Sequence, residues 1–228
     1  MRLVCWNLCR GTDAKWARLE AMAPDVAVLA EVAQHPRALT PSLLQPEICW
    51  HWVGTNPSKG LAVATFGTGS VPIVTEAAGR WSVATRVGDL VVLGIWSCPS
   101  GGGGAAAYER EVLRGLDAHA RAFGDRPLVV AGDFNVVGRA GGFPRLARRL
   151  QELGLHSAYH RFFDEPLGAE VRPTYFHLRD RLRTFHIDFC FLSDVLIDRL
   201  TNVEVGHYDD WVSAGLSDHV PVVVELND

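Results

Sequence analysis

The chain has 228 residues, 48% of them hydrophobic, and a formal net charge of −4. A domain of this size buries roughly 70–75% of the surface its unfolded chain exposes, so it needs no disulfide or metal staple. The charge excludes a protein that coats nucleic acid by bulk attraction, and no apolar run is long enough for a membrane span.

The five cysteines (5, 9, 49, 98 and 190) are odd in number and include no Cys-x-x-Cys pair. Free, mostly buried thiols in a reducing compartment follow, hence a cytoplasmic location. Met1-Arg2-Leu3-Val4 runs straight into a strand and lacks the apolar length of a signal peptide. Gly101 to Gly104 followed by Ala105 to Ala107 is the one biased stretch; it reads as a loop entering a helix. Residues 1–228 are therefore expected to form a single domain.

In chain order, Leu3-Val4-Cys5-Trp6 is a strand ending at Asn7. Thr12 or Asp13 caps a helix with Trp16, Leu19 and Met22 at helical spacing, stopped by Pro24-Asp25. Residues 26–30 make a strand apolar on both faces that ends at Glu31. Residues 50–53 and 61–66 read as strands separated by a turn-rich segment, 54–60. Strands 81–87 and 90–96 flank Gly88-Asp89, a hairpin signal. A helix over 108–123 follows, then a strand, 128–131, ending at Gly132-Asp133-Phe134-Asn135. A helix over 143–153 is ended by Gly154, and the last strands are 184–193 and 220–226. Alternation along 184–193 puts Phe185, Ile187, Phe189 and Phe191 on one face and His186, Asp188 and Cys190 on the other. Strands, hairpins and intervening helices together predict an α/β fold: two packed mixed sheets flanked by helices, a four-layer sandwich.

Buried strands keep their polar residues at their ends, because an unpaired carboxylate in a core is too costly. If these ends meet, carboxylates, amides and one imidazole form a pocket suited to a divalent cation and a phosphate. Glu31 and Asp218 are oxygen donors for a hard ion such as Mg²⁺. Asp133 ligates metal or orients a water, and Asn135 donates to a phosphoryl oxygen. Asp188 lies among apolar neighbours and needs a partner, for which His219 is the candidate. Each has an ordinary alternative: a solvated strand end for Glu31, an Asx turn for Asp133-x-Asn135, a cap for Asp218-His219. Between Arg139 and Arg183 there are nine arginines and five acids, a basic rim for a polyanion or simply a solvated helix face.

The ordered series Trp6-Asn7, Glu31, Gly132-Asp133-Phe134-Asn135, Ile187-Asp188-Phe189 and Ser217-Asp218-His219, with Lys59-Gly60-Leu61-Ala62 and Pro173-Thr174-Tyr175 as connecting segments, resembles the endonuclease/exonuclease/phosphatase superfamily. The likeness spans nearly the whole chain and implies a deoxyribonuclease I-like sandwich. It implies Glu31 as principal Mg²⁺ ligand, helped by Asp218 and Asn7, with Mn²⁺ able to substitute. Asp133 orients or deprotonates the attacking water. Asn135 and Asn7 hold phosphate oxygens, with Arg139 and Trp96 as further substrate contacts. His219, paired with Asp188, stabilises phosphoryl charge or protonates what leaves. Phosphoryl transfer needs little more than such positioning and charge neutralisation.

Two positions depart from the pattern. Relatives that cut at abasic sites carry an Asp where Cys9 stands. Trp96 occupies the position of a His, and Trp cannot exchange a proton at neutral pH; Tyr108, His51 and His186 are candidate substitutes. The implied activity is a Mg²⁺-dependent phosphodiester hydrolase, a monomeric nuclease acting on DNA. The competing readings are a phosphatase or phosphodiesterase of a small or lipid phosphate, and a non-enzymatic binding module on the same scaffold.

Overall fold

Apolar runs that read as buried on both faces become strands covered on both faces. The protein is described here by a computed structural model covering residues 1–35, 48–73, 81–99, 104–137 and 143–227. Its strands are β1 (Arg2–Asn7), β2 (Val26–Val32), β3 (Ile48–Asn56), β4 (Lys59–Phe66), β5 (Val71–Ile73), β6 (Ser82–Val87), β7 (Leu90–Trp96), β8 (Leu128–Asp133), β9 (Leu155–Ser157), β10 (Tyr175–Phe176), β11 (Thr184–Phe185), β12 (Asp188–Ser193), β13 (Leu200–Val205) and β14 (Val222–Leu226). They form two six-stranded sheets, ordered β13-β14-β1-β2-β4-β3 and β5-β6-β7-β8-β12-β9, plus the ribbon β10-β11. In each large sheet one central pair is parallel, β1 with β2 and β7 with β8, while the other pairs are antiparallel.

The period of two divides each strand between two cores. Cys5, Val28, Val63, Val92, Ala131, Cys190 and Val224 fill the space between the sheets. Their alternates Val4, Ala27, Leu29 and Ala62 turn outward onto Trp16 and Leu19 of the helix Asp13–Ala21. On the other sheet Val91, Leu93, Val130, Phe189 and Phe191 turn outward onto Val112 and Leu116 of the helix Ala105–Phe123 and Leu146 and Leu150 of the helix Pro144–Glu152. Helix, sheet, sheet, helix is the expected four-layer sandwich.

Three local expectations are corrected. The segment 54–60 is mostly strand, since β3 runs to Asn56 and β4 starts at Lys59. Gly54 and Gly60 are there for space: a Cβ on either would meet the Trp52 indole at 2.4–2.5 Å. The strand expected over 184–193 is broken into β11 and β12, which belong to different sheets. Thr174 Oγ1 accepts the backbone N–H groups of both Ile187 and Asp188 at 3.0 Å, so these donors leave the ladder. The break also turns His186 away from Asp188: its ring packs on Tyr159 and Phe189, and its Nδ1 pairs with the Arg172 carbonyl. Finally, the 108–123 helix begins three residues earlier, at Ala105.

The same end of both sheets collects the polar termini. Asn7 and Glu31 lie at or near the ends of the parallel pair β1 and β2, and Asp133 ends β8. Asp188 begins β12, antiparallel and directly opposite Asp133. Gly132 makes this register possible: its φ is +143°, and a Cβ there would lie 1.8 Å from the Ile95 carbonyl oxygen.

Candidate active site

Each polar side chain is aimed by a local device. A β-bulge interrupts the β2–β4 ladder between Ala30 and Val32, and the bulged residue is Glu31, at φ 56°. Bulges re-aim a side chain, and this one directs the carboxylate to Lys59, whose Nζ lies 3.1 Å away. The Lys59 ammonium in turn sits 5.3 Å over the Trp96 ring. Asn135, at φ 52°, donates its backbone N–H to Asp133 Oδ1 at 3.1 Å and its side-chain amide to the Ser97 carbonyl at 3.1 Å. This is an Asx turn, the ordinary reading of that motif, and it also fixes the Asp133 carboxylate.

At the centre, Asn7 Nδ2 donates to Asp133 Oδ2 at 2.9 Å, and His219 Nδ1 lies 2.8 Å from Asp188 Oδ2. Ser217 Oγ ties the returning chain to the Asn7 carbonyl at 2.7 Å and accepts the His219 N–H at 3.1 Å. Trp6 Nε1 holds the His219 carbonyl at 3.1 Å. Tyr175, on the ribbon β10, lays its ring against His219 with centroids 4.6 Å apart. Asp133, Asp188 and His219 are all buried, and their ligand atoms lie within 4.8 Å of one another.

That crowding sets the charge states. Burial, then the facing Asp188 carboxylate, raise Asp133 to about 7. Burial works against charge on His219, but the carboxylates of Asp188, Asp133 and Asp218 outweigh it and lift the imidazole to about 9. At neutral pH the pair therefore offers a carboxyl poised to exchange a proton and a charged imidazolium. Asp188 Oδ1 is buried and finds no hydrogen-bond partner among the described residues.

The expected residues Asn7, Asp133, Asn135, Asp188, His219 and Asp218 are brought together, and the Glu31 charge reaches Asp133 as well. One does not serve as expected. Trp96 is 3% exposed and packs edge-on against Trp81 with centroids 4.8 Å apart, so it presents substrate almost no surface. Asn7 has both amide atoms engaged, Nδ2 by Asp133 and Oδ1 by the Cys9 N–H at 2.9 Å. Arg139 lies outside the described residues. Of the arginine-rich stretch, Arg145, Arg149, Arg172 and Arg181 are held by Glu109, by Asp117 with Glu152, by Glu165 and by Asp209. Of the proposed substitutes for the missing His, His51 bonds Ser70, the His186 ring bonds the Arg172 carbonyl, and the Tyr108 backbone carbonyl accepts from Ser97.

Three residues of the site carried no signal of their own in sequence. Lys59 had been noted only within a connecting motif. Tyr175 is brought in by the ribbon. Lys15, on the helix Asp13–Ala21, buries its Nζ on the carbonyls of Leu8, Cys9 and Arg10 at 2.5, 3.1 and 2.6 Å.

The sequence matches the model of the Endonuclease/Exonuclease/phosphatase family over residues 5–219. The chain belongs to that family. Membership makes it a hydrolase of phosphoric esters. Among solved structures, a 3′ phosphatase from Neisseria bound to a product DNA hairpin aligns with a TM-score of 0.77 at 18% identity, covering 100% of both chains. A 3′-5′ exonuclease from Neisseria meningitidis aligns at 0.75 and 18%, and an AP endonuclease from Archaeoglobus fulgidus at 0.75 and 12%, each covering 100% of both chains. At these identities the likeness is one of fold. No curated protein sequence matches significantly. Among the described residues, no helix is long and apolar enough to cross a membrane.

A divalent cation has two candidate donor sets. The Asp133, Asp188 and His219 atoms are close enough to hold an ion, but Asp188 and His219 are already bonded to each other and Asp133 to Asn7. Glu31 faces the Lys59 ammonium, and Asp218 receives a long 3.5 Å contact from Ser217. Two carboxylates and the Asn7 carbonyl are the oxygen donors a hard cation prefers.

Proposed function

We propose that this family member is a divalent-metal-dependent phosphodiester hydrolase acting on DNA, a monomeric cytoplasmic enzyme with one catalytic domain over residues 1–228. The observation that carries it is the meeting of Asp133 with the Asp188–His219 pair at the sheet end that also bears Glu31 and Asp218. The described DNA-processing enzymes of the same fold support the substrate class. The five free thiols support the compartment.

Mg²⁺, with Mn²⁺ as substitute, would be held by Glu31 and Asp218 with Asn7 and would neutralise charge on the phosphoryl oxygens. Asp133 takes the proton of the attacking water. Asn7 holds the Asp133 carboxylate in orientation, and the Asx turn of Asn135 steadies its other oxygen. The Asn135 amide retains one N–H for a phosphate oxygen. The His219 imidazolium, oriented by Asp188, donates to the phosphoryl group and offsets the charge that grows there. Lys59 lies between the Glu31 carboxylate and the Trp96 ring, a cation able to turn from carboxylate to phosphate when metal binds.

The test is cleavage of plasmid DNA and of short end-labelled duplexes with Mg²⁺, alongside nucleotides, sugar phosphates and phospholipids. Mg²⁺-dependent DNA cleavage lost in Glu31→Gln is expected. A folded protein that leaves DNA intact with every divalent metal overturns the reading, and faster turnover of a small phosphate moves it to the phosphatase alternative.

A further inference from the structure

Lys15 stands where local rules disfavour a cation. It is the third residue of the helix Asp13–Ala21, so it sits at the positive end of the helix dipole. It is also only 5% exposed, and an ammonium taken out of water is costly unless its donors are met. They are met by three carbonyls, those of Leu8, Cys9 and Arg10 at 2.5, 3.1 and 2.6 Å. An ammonium carries three N–H donors, so donors and acceptors match in number. Cys9 and Arg10, at φ 46° and 70°, are both left-handed, and in that conformation three successive carbonyls reach one atom.

The far ends of the same peptide units lead to the site. The unit joining Leu8 to Cys9 gives its carbonyl to Lys15 and its N–H to Asn7 Oδ1 at 2.9 Å, and Asn7 Nδ2 donates in turn to Asp133 Oδ2 at 2.9 Å. The unit joining Cys9 to Arg10 gives its carbonyl to Lys15 and its N–H to the Glu31 carbonyl at 3.1 Å, at the bulge. A carbonyl polarised by a cation makes the N–H of its own peptide a better donor, so the two bonds of each unit reinforce one another. We infer that Lys15 is a positioning residue: it clamps residues 8–10 and thereby fixes both the Asn7 amide that orients Asp133 and the bulge that carries Glu31. The inference rests on the reading of Asp133 as the base and of Glu31 as a metal ligand. A local preference is broken here in favour of the site, which is where such violations collect.

Lys15→Met keeps the stem and removes the donors. Leu19→Val loosens the same helix, where Leu19 is fully buried, and leaves the three carbonyls their partner. Hydrogen exchange on the metal-free protein reads the clamp directly. The Cys9 and Arg10 amides are protected in wild type and in Leu19→Val, and exchange about tenfold or more faster in Lys15→Met. Below the unfolding transition of every variant, Mg²⁺ affinity by calorimetry and kcat for DNA cleavage each fall by about 10–100-fold in Lys15→Met. Its KM for DNA changes by less than about threefold, as does every reading in Leu19→Val. Should Lys15→Met not fold, Lys15→Arg carries the same test with losses of the same kind, since a planar fork cannot converge on three carbonyls as an ammonium does. Amides that stay protected in the substituted protein overturn the proposal, and so do losses of Mg²⁺ affinity and kcat that Leu19→Val shares. If wild type binds Mg²⁺ and cleaves DNA and the Lys15 variant does both equally well, only the positioning role is wrong. If wild type does neither, the hydrolase reading fails and the positioning role fails with it.

Discussion

Two clusters of ionisable groups lie on opposite faces of β12, one half-buried and one fully buried, and they behave in opposite ways. On the face of Phe189, His160 is held between Ser157 Oγ at 2.7 Å and Glu170 Oε1 at 3.0 Å, and Glu170 also accepts the Gly168 N–H at 2.8 Å. Beside it Glu165 accepts from Tyr159, Arg172 and the Val171 N–H. Burial opposes the Glu170 charge, but the His160 and Gly168 bonds prevail and bring its pKa down to about 2. On the other face, Asp133 also accepts two bonds yet rises to about 7, because it is buried opposite Asp188, and Asp188 Oδ1 has no hydrogen-bond partner among the described residues. The first cluster favours its charges and braces the loop 164–172. The second holds like charges close together where a substrate phosphate and a cation would relieve them. A carboxylate shifted down marks a brace, and one shifted up in a cleft marks chemistry.

The sharpest way to break this comparison is to neutralise the strained member. Asp133→Asn and His219→Ala should each lower kcat by about 10²–10⁴-fold. Asp133→Asn should unfold close to the wild-type temperature, because removing a buried anion that faces Asp188 offsets the loss of one of the two oxygens that accept from Asn7 and the Asn135 N–H. Steady-state rates beside thermal melts decide it; near-wild-type rates in both variants would show the roles to be misassigned.

Glu170→Gln should do the reverse, losing on the order of 1–3 kcal/mol of stability while kcat stays near wild type. Urea titration and the same cleavage assay check it, and an activity loss without destabilisation would join the two clusters after all.

The pH profiles should also diverge. The folded pKa of Glu170 lies below its unfolded value, so its stabilisation is complete above about pH 4.5 and disappears as pH falls through about 2. Glu170→Gln should flatten that part of the stability curve. His219 has a raised folded pKa, so its stabilisation is present below about 6.5 and is lost as pH rises through about 9. In kcat/KM, activity should rise as Asp133 deprotonates near 7 and fall as His219 loses its proton near 9. Metal binding should shift the acid limb downward, since an added cation favours the carboxylate. A profile flat from 5 to 10 would contradict both assignments.

The smallest effect is expected at Trp96→Phe. The indole is buried against Trp81 and beneath Lys59, so the change should cost less than about 1.5 kcal/mol and move kcat only a few-fold. A hundredfold loss would restore Trp96 to the substrate site.

The layer order, most strands and the polar strand ends were legible before any coordinates, because they follow from local periodicity and from the cost of burying a charge. Val26 to Ala30 alternate between two apolar layers as their composition requires, and Asp133 stands where an apolar run meets polar residues. The break at 186–187 was hidden, because it depends on a hydroxyl from Thr174, distant in sequence, capturing two backbone donors. Gly54 and Gly60 looked like turn residues, because a glycine that admits an indole and one that bends the chain are alike in a string of letters. Trp96 was misread as a substrate contact, since motif position does not reveal which way a strand faces the core.

The amino-acid sequence by itself determined which groups could do chemistry here: carboxylates, amides and one imidazole at the ends of apolar strands. Tertiary structure alone decided their states. Asp133 is raised to about 7 and His219 to about 9 because segments far apart in the chain converge in a site shielded from water. Charge interactions depend on distance and burial, and neither is written in the order of residues.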